Sequence, residues 1–263
     1  MIRYAVLGSG SSGNSYLIGF QEESVLFDAG FSLKQMQCRA EEAQFDFSKV
    51  GALCITHLHP DHCRGAGVFA RKTGKPVFVH RALVEGSLKE LVSLRIPSDQ
   101  LRVFSHNEPF VVGAFTITAF PTSHDSPSSM WFSVGIRNRQ FAIITDTGKI
   151  DDTMKQHALD SDVLFLEANY DELMLHEGPY PYMLKQRIQG VTGHLSNRDA
   201  IQLLNTCTTD RLTDVYFCHL SKVNNRPEIL AEHCEQHLTW KGKHTICEHG
   251  QLYCGSVDLG EII

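Results

Sequence analysis

Apolar residues along the chain gather mostly in short runs bounded by Gly, Pro, Asn, Asp and Ser, the pattern of buried strands between turns. Such runs predict strands over 3–8, 15–20 and 24–28. Helical spacing follows over 33–43, then an apolar strand over 52–56 that runs straight into a histidine-rich turn. A helix over 61–72, stopped by Thr73-Gly74-Lys75-Pro76, precedes a strand over 77–79 and a helix over 82–91. Strands dominate from 101 to 146, clearest at 115–120, 131–136 and 140–145, with Arg137-Asn138-Arg139 as a hairpin turn. The remainder carries helices over 150–157, 181–189, 196–206 and 226–237 and strands over 162–166, 215–218, 244–247 and 251–254. Strands with a few helices, twice over, predict an α/β (α+β) chain of two mainly antiparallel or mixed sheets packed together, helices outside. A doubly wound parallel sheet would alternate strand and helix more evenly.

Composition narrows the class. The 263 residues are 42% hydrophobic and 21% charged, enough apolar content to exclude disorder as the main state and to fill one domain, expected over 1–263. No apolar run approaches the roughly 20 residues of a membrane span, and Ala5-Val6-Leu7 is too short for a signal-peptide core. None of the eight cysteines forms a CxxC pair, which argues against a zinc ribbon or redox site and for reduced thiols in a cytoplasmic protein. A net charge of −6 supplies no bulk attraction for nucleic acid; a local basic groove or bound cations would have to.

The chemistry concentrates in Thr56-His57-Leu58-His59-Pro60-Asp61-His62, which puts four potential metal ligands at the end of a buried strand. His57 and His59 can point to one side of an extended turn. Pro60 suits a first helical turn, so Asp61 and His62 would sit at a helix start and face back toward it. One corner can thus offer two ligands to each of two metals. Imidazole and carboxylate suit Zn²⁺, Mn²⁺ or Fe²⁺, and a pair of such ions can generate a hydroxide nucleophile at neutral pH.

This HxHxDH pattern resembles the metallo-β-lactamase-fold hydrolases, and the family's remaining motifs occur in order. His124 stands in Pro121-Thr122-Ser123-His124-Asp125, Asp146 in Ile144-Thr145-Asp146-Thr147-Gly148, and His219 in Phe217-Cys218-His219-Leu220-Ser221. The resemblance implies a four-layered αβ/βα sandwich. It also implies that His57, His59 and His124 hold one divalent ion, that Asp61, His62 and His219 hold a second, and that Asp146 bridges them.

Further segments bear on the substrate. Gly8-Ser9-Gly10-Ser11-Ser12-Gly13-Asn14-Ser15 is a Gly-rich turn that could cradle a phosphate through Ser11, Ser12 and Asn14, or simply be a tight hairpin. Gly193-His194-Leu195-Ser196-Asn197 opens a helix whose N-terminus, capped by Ser196, attracts anions. By comparison with tRNase Z-like phosphodiesterases, His194 is expected to act on the scissile phosphate or leaving group. Tyr180-Pro181-Tyr182-Met183-Leu184-Lys185-Gln186-Arg187-Ile188 adds aromatics and the cations Lys185 and Arg187, and Arg226 lies further on. These segments, with Asp28-Ala29-Gly30 and His219-Leu220-Ser221-Lys222-Val223-Asn224-Asn225-Arg226-Pro227, are similar to the YycJ/WalJ-like branch. That branch lacks the inserted β-CASP domain, for which the interval from His124 to His219 is too short.

The resemblance implies a two-metal phosphodiester hydrolase, a 5′-to-3′ exonuclease on DNA, with RNA left open. Metal-held hydroxide would attack phosphorus, with Asp61 orienting or deprotonating the water and His194 binding phosphate and protonating the leaving oxygen. A small-molecule (cyclic) phosphodiesterase would share the metal site. A thioesterase lacks a visible glutathione pocket, and a non-catalytic metal-binding module conflicts with seven filled ligand positions.

Overall fold

A computed structural model describes residues 1–86 and 88–259. Its fourteen strands form two seven-stranded sheets. The first contains β1 (Ile2–Gly8), β2 (Ser15–Phe20), β3 (Glu23–Phe27), β4 (Val50–Cys54), β5 (Val77–His80), β6 (Leu101–Phe104) and, from the end of the chain, β14 (Tyr253–Val257). The second contains β7 (Pro109–Val112), β8 (Phe115–Pro121), β9 (Met130–Ile136), β10 (Arg139–Ile144), β11 (Val163–Glu167), β12 (Asp214–Cys218) and β13 (Lys243–Ile246). The orders are β14-β1-β2-β3-β4-β5-β6 and β13-β12-β11-β10-β9-β8-β7.

Each sheet is antiparallel on one side and parallel on the other. Pairing changes to parallel at β3–β4 in the first sheet and at β10–β11 in the second. The parallel halves need crossovers, which helices supply, and they bring several C-terminal strand ends to one edge of each sheet. That edge carries the polar residues discussed below.

Both faces of the central strands are apolar, as a sheet buried on two sides requires. Along β1, Ile2, Tyr4 and Val6 point between the sheets, whereas Ala5 and Leu7 point to the outer helices. The layer between the sheets holds Tyr16, Phe27, Phe132, Phe141 and Phe165, with Tyr4 edge-on to Phe141 and Phe165. Helices Leu33–Glu42 and Ala66–Thr73 cover the outer face of the first sheet through Met36, Ala40, Phe69 and Ala70. Helices Asp152–Asp160, Asn197–Asn205 and Pro227–His237 cover the second through Met154, Ala158, Ala200, Leu204 and Leu230. The arrangement is the four-layered αβ/βα sandwich expected.

The predicted helix over 61–72 is two helices, Pro60–Cys63 and Ala66–Thr73. Gly65 separates them: its N–H donates to Ala29 O at 2.8 Å, and a Cβ there would collide with Phe31 O. The expected helix over 82–91 is likewise split, into Arg81–Glu85 and Lys89–Ser93, with residue 87 outside the described residues. Helix Glu172–Glu177, capped by Asp171, had no counterpart in the pattern. Among the described residues no helix is long and apolar enough to cross a membrane, and all eight cysteines are free.

Candidate metal centre

The polar edge is assembled from both sheets. β4 delivers His57, His59, Asp61 and His62 through the turn into helix Pro60–Cys63, where Pro60 occupies the first turn. His124 follows β8, Asp146 follows β10 and His219 follows β12. Asp28, Asp146 and His219 each leave a strand in left-handed backbone geometry, with φ of 59°, 57° and 58°. Such conformations cost about 1–3 kcal/mol each for non-Gly residues and concentrate where a side chain must be aimed.

Four overlapping groups of ligand atoms result among the described residues; Asp146 joins His57 and His62 in one and Glu167, His194 and His219 in another, and the remaining two match the expected ligand sets. His57, His59 and His124 form one, with His57 Nε2 3.0 Å and His124 Nε2 3.3 Å from His59 Nδ1. Asp61, His62 and His219 form the other, with His62 Nε2 3.8 Å and His219 Nε2 3.6 Å from Asp61 Oδ2. Asp146 lies between them, Oδ2 3.1 Å from His62 Nε2 and Oδ1 3.7 Å from His124 Nε2. It is buried, as are His57, His62 and His219.

Three observations fit divalent ions to these groups. First, ring nitrogens converge: spacings of 3.0 and 3.3 Å compare with about 3.3 Å between tetrahedral ligands on zinc bonds near 2.05 Å. Second, His219 Nε2 is buried without a hydrogen-bond partner, and Asp146 Oδ2, 3.1 Å from His62 Nε2, makes no aligned hydrogen bond, a costly arrangement unless a ligand completes it. Third, charge is unbalanced. Asp28, Asp61, Asp146 and Glu167 converge, and among the described residues no Lys or Arg pairs with them. Burial pulls the His62 pKa down, but Asp146 and Asp28 outweigh it and push it up to about 10. His219 is raised the same way, against burial, by Asp146, Asp61 and Glu167. His57 moves in the opposite direction, lowered by burial and by the His62 cation. The acids thus recruit positive charge that a divalent ion would supply in place of protons.

Two acids orient the ligands: Asp28, which the sequence offered only as part of the Asp28-Ala29-Gly30 turn and without a role at the metals, and Glu167, which the pattern did not single out. Asp28 Oδ2 accepts from His62 Nδ1 at 2.6 Å, while Asp28 Oδ1 accepts from the Thr56 N–H at 2.8 Å. Glu167, the last residue of β11, lies with Oε1 3.0 Å from His219 Nδ1 and 2.7 Å from His194 Nδ1. Each carboxylate fixes which nitrogen is left for a ligand, as partners behind metal-bound histidines do. The sequence signal was an acid closing a wholly apolar strand, Val163-Leu164-Phe165-Leu166-Glu167, and another following Val25-Leu26-Phe27.

A cleft of about 310 Å³ opens over the cluster, lined by His59, Asp61, His124, Asp146, His194 and His219 and rimmed by Ser11, Tyr180, Arg187 and Lys222. His194 Nδ1 is committed to Glu167, which leaves Nε2 for a ligand in the cleft. Arg187 forms an ion pair with Asp125 at the rim.

The structure sets the other residues expected to touch substrate elsewhere. Asn14 is buried beneath the cluster, its Oδ1 accepting from Gly10 N–H at 2.8 Å and its Nδ2 2.9 Å from His62 Nε2. Ser196 is buried as the cap of helix Asn197–Asn205, its hydroxyl exchanging hydrogen bonds with Asp199. Lys185 Nζ donates to His176 O, and Arg226 precedes helix Pro227–His237; neither lines the cleft. Ser12 lines a neighbouring groove instead. The Gly-rich turn braces the site: Ser9 Oγ accepts from His219 N–H at 2.6 Å, and the Asn14 N–H donates to Asp61 O at 2.8 Å.

Two mixed sheets that share a His/Asp cluster at their strand ends define a metallo-β-lactamase-type protein. The chain belongs to the β-lactamase superfamily: the family model described as a beta-lactamase superfamily domain matches residues 23–219. It is 34% identical over 241 residues to the exodeoxyribonuclease YycJ of Bacillus anthracis, covering 92% of this chain and 90% of that one. It is 33% identical over 227 residues to the exodeoxyribonuclease WalJ of Streptococcus pneumoniae serotype 2, covering 86% and 84%. The metallo-β-lactamase fold protein YhfI from Bacillus subtilis superposes with a TM-score of 0.72 at 19% identity, over 97% of this chain and 99% of that one, a likeness of fold.

Proposed function

We propose that this protein is a cytoplasmic, two-metal phosphodiesterase that degrades DNA as a 5′-to-3′ exonuclease. The observation that carries the reading is the pair of three-residue ligand groups flanking Asp146 at the floor of an open cleft. Similarity to YycJ and WalJ over most of both chains supports DNA as the substrate.

His57, His59 and His124 would hold one ion and Asp61, His62 and His219 the other, with Asp146 shared. Zinc, manganese and iron all suit this donor set. When bound, such ions supply Lewis acidity, lowering the pKa of water and offsetting charge that develops on phosphoryl oxygens. The chain's own groups do the rest. Burial pushes the Asp61 pKa up, but His219 and His62 outweigh it and keep the carboxylate ionised. Asp61 can therefore orient the attacking water and accept its proton. His194, steadied at Nδ1 by Glu167, binds a phosphoryl oxygen and passes a proton to the departing oxygen. Asp28 and Glu167 keep His62 and His219 in one tautomer and orientation.

The test is product analysis on end-labelled single- and double-stranded DNA with added Mn²⁺ and Asp61→Ala as control. Mononucleotides released from the 5′ end by the wild type alone are expected. Intact DNA beside hydrolysis of a small chromogenic phosphodiester would replace this reading with a small-molecule phosphodiesterase.

A further inference from the structure

Of the cations expected from the sequence to follow a nucleic-acid backbone, Arg187 is neutralised by Asp125, and Lys185 and Arg226 do not line the cleft. On the other side of the Gly-rich turn lies a second depression, a groove of about 610 Å³. Ser9, Ser12, Arg39, Arg64, Lys222 and His249 line it, and no Asp or Glu does. Lys222 lines both this groove and the metal-site cleft, and the turn that gives Ser11 to the cleft gives Ser9 and Ser12 to the groove. The two depressions are therefore adjacent, with Lys222 between them.

The groove's two arginines are held in place without being neutralised. Arg64 donates from Nη2 to Ser12 O at 2.6 Å and from Nε to Pro60 O at 3.1 Å. Arg39 donates from Nη1 to Leu7 O at 2.6 Å and from Nη2 to Gly250 O at 3.2 Å, and it stacks over Phe31. Carbonyls orient a guanidinium and leave its charge intact. Among the described residues none of Arg39, Arg64 and Lys222 forms an ion pair with a carboxylate. His249 is packed against Gly10 with both ring nitrogens shielded from solvent, so it shapes the groove rather than adding charge to it. On a chain of net charge −6, a file of free cations running out of the active cleft is a local exception.

We infer that the groove lined by Arg39, Arg64 and Lys222 binds the phosphates of the substrate strand next to the one being cleaved. The inference rests on the nuclease reading above and adds the path of the polyanion. A file of cations suits a repeating phosphate backbone, and contacts to phosphates carry no sequence information. A small diester would engage the metals without reaching it.

The test is the hydrolysis of a single-stranded oligonucleotide by the metal-loaded protein across a range of salt. Arg64→Gln with Lys222→Gln should raise KM about tenfold, and the salt dependence should become shallower by about 1.4 in log–log slope, near 0.7 for each phosphate that is no longer neutralised. Arg64→Lys with Lys222→Arg, which keeps both charges and gives up the carbonyl anchors of Arg64, should restore most of the affinity. If the Gln pair matches wild type in KM and slope while wild type cleaves DNA, the groove assignment is wrong. If the charge-keeping pair is as impaired as the Gln pair, the residues act through packing and the assignment is equally wrong. Wild type that hydrolyses a chromogenic diester but no DNA at any salt would overturn the nuclease reading, and the strand path with it.

Discussion

Asp28 Oδ2 lies 2.6 Å from His62 Nδ1, and neither side chain is exposed to solvent. The carboxylate is tied down in turn by the Thr56 N–H and hydroxyl, so the His62 ring cannot rotate without breaking a buried network. Its Nε2 is thereby aimed at Asp61 and Asp146. Asp28→Asn keeps the volume and removes the charge. It should weaken metal affinity by about 10–100-fold, the effect expected behind a metal-bound histidine. Competition against a chromogenic chelator measures this directly; unchanged affinity would remove Asp28 from the site.

His194 and the ligands should separate in their effects. His194→Ala should lower kcat by about 10²–10⁴, the range for a lost general acid, with metal content unchanged. His57→Ala should lose both metal and turnover. Metal analysis beside single-turnover kinetics distinguishes them, and loss of metal in His194→Ala would make His194 a ligand.

Glu167 touches both His219 and His194, so its replacement should combine the two phenotypes. Glu167→Gln is expected to weaken metal binding and, at saturating metal, still to show reduced kcat. Full recovery of kcat at high metal would confine Glu167 to positioning His219.

Gly30 makes a prediction about the scaffold. Its N–H donates to Asn14 O at 3.0 Å, and a Cβ would collide with Asp61 O and Asn14 N. Gly30→Ala should destabilise by about 2–3 kcal/mol, typical of overpacking against an unyielding neighbour. In a chain this long that lowers Tm by roughly 5–10 °C in thermal denaturation. An unshifted Tm would mean that the turn relaxes freely.

How far the site could be read from sequence depended on covalent spacing. His57, His59, Asp61 and His62 are neighbours in the chain, so one turn must bring them together. His124, Asp146 and His219 are far apart but share a signal, a polar residue just beyond an apolar strand, and the family order joins them. Asp28 was legible only as part of the Asp28-Ala29-Gly30 turn, and Glu167 carries the same signal without a motif around it and meets partners 27 and 52 residues away. The fold was legible in its strands, because both faces of each central strand are apolar. Helix breaks were not, since Gly65 interrupts 61–72 only because Ala29 and Phe31 pass beside it. Surface charge was least legible. Arg187 looks free in sequence and is paired with Asp125, whereas Arg64 lies beside the metal motif and stays unneutralised.

The most direct test of two metals acting at one site is to strip the protein with a chelator and titrate it with Mn²⁺ while following nucleotide release from 5′-labelled DNA. Turnover should be absent without metal, rise with added ion and level off at two equivalents per chain, with Asp146→Ala inactive throughout. Cleavage by the stripped protein, or a plateau at one equivalent, would contradict the two-metal assignment.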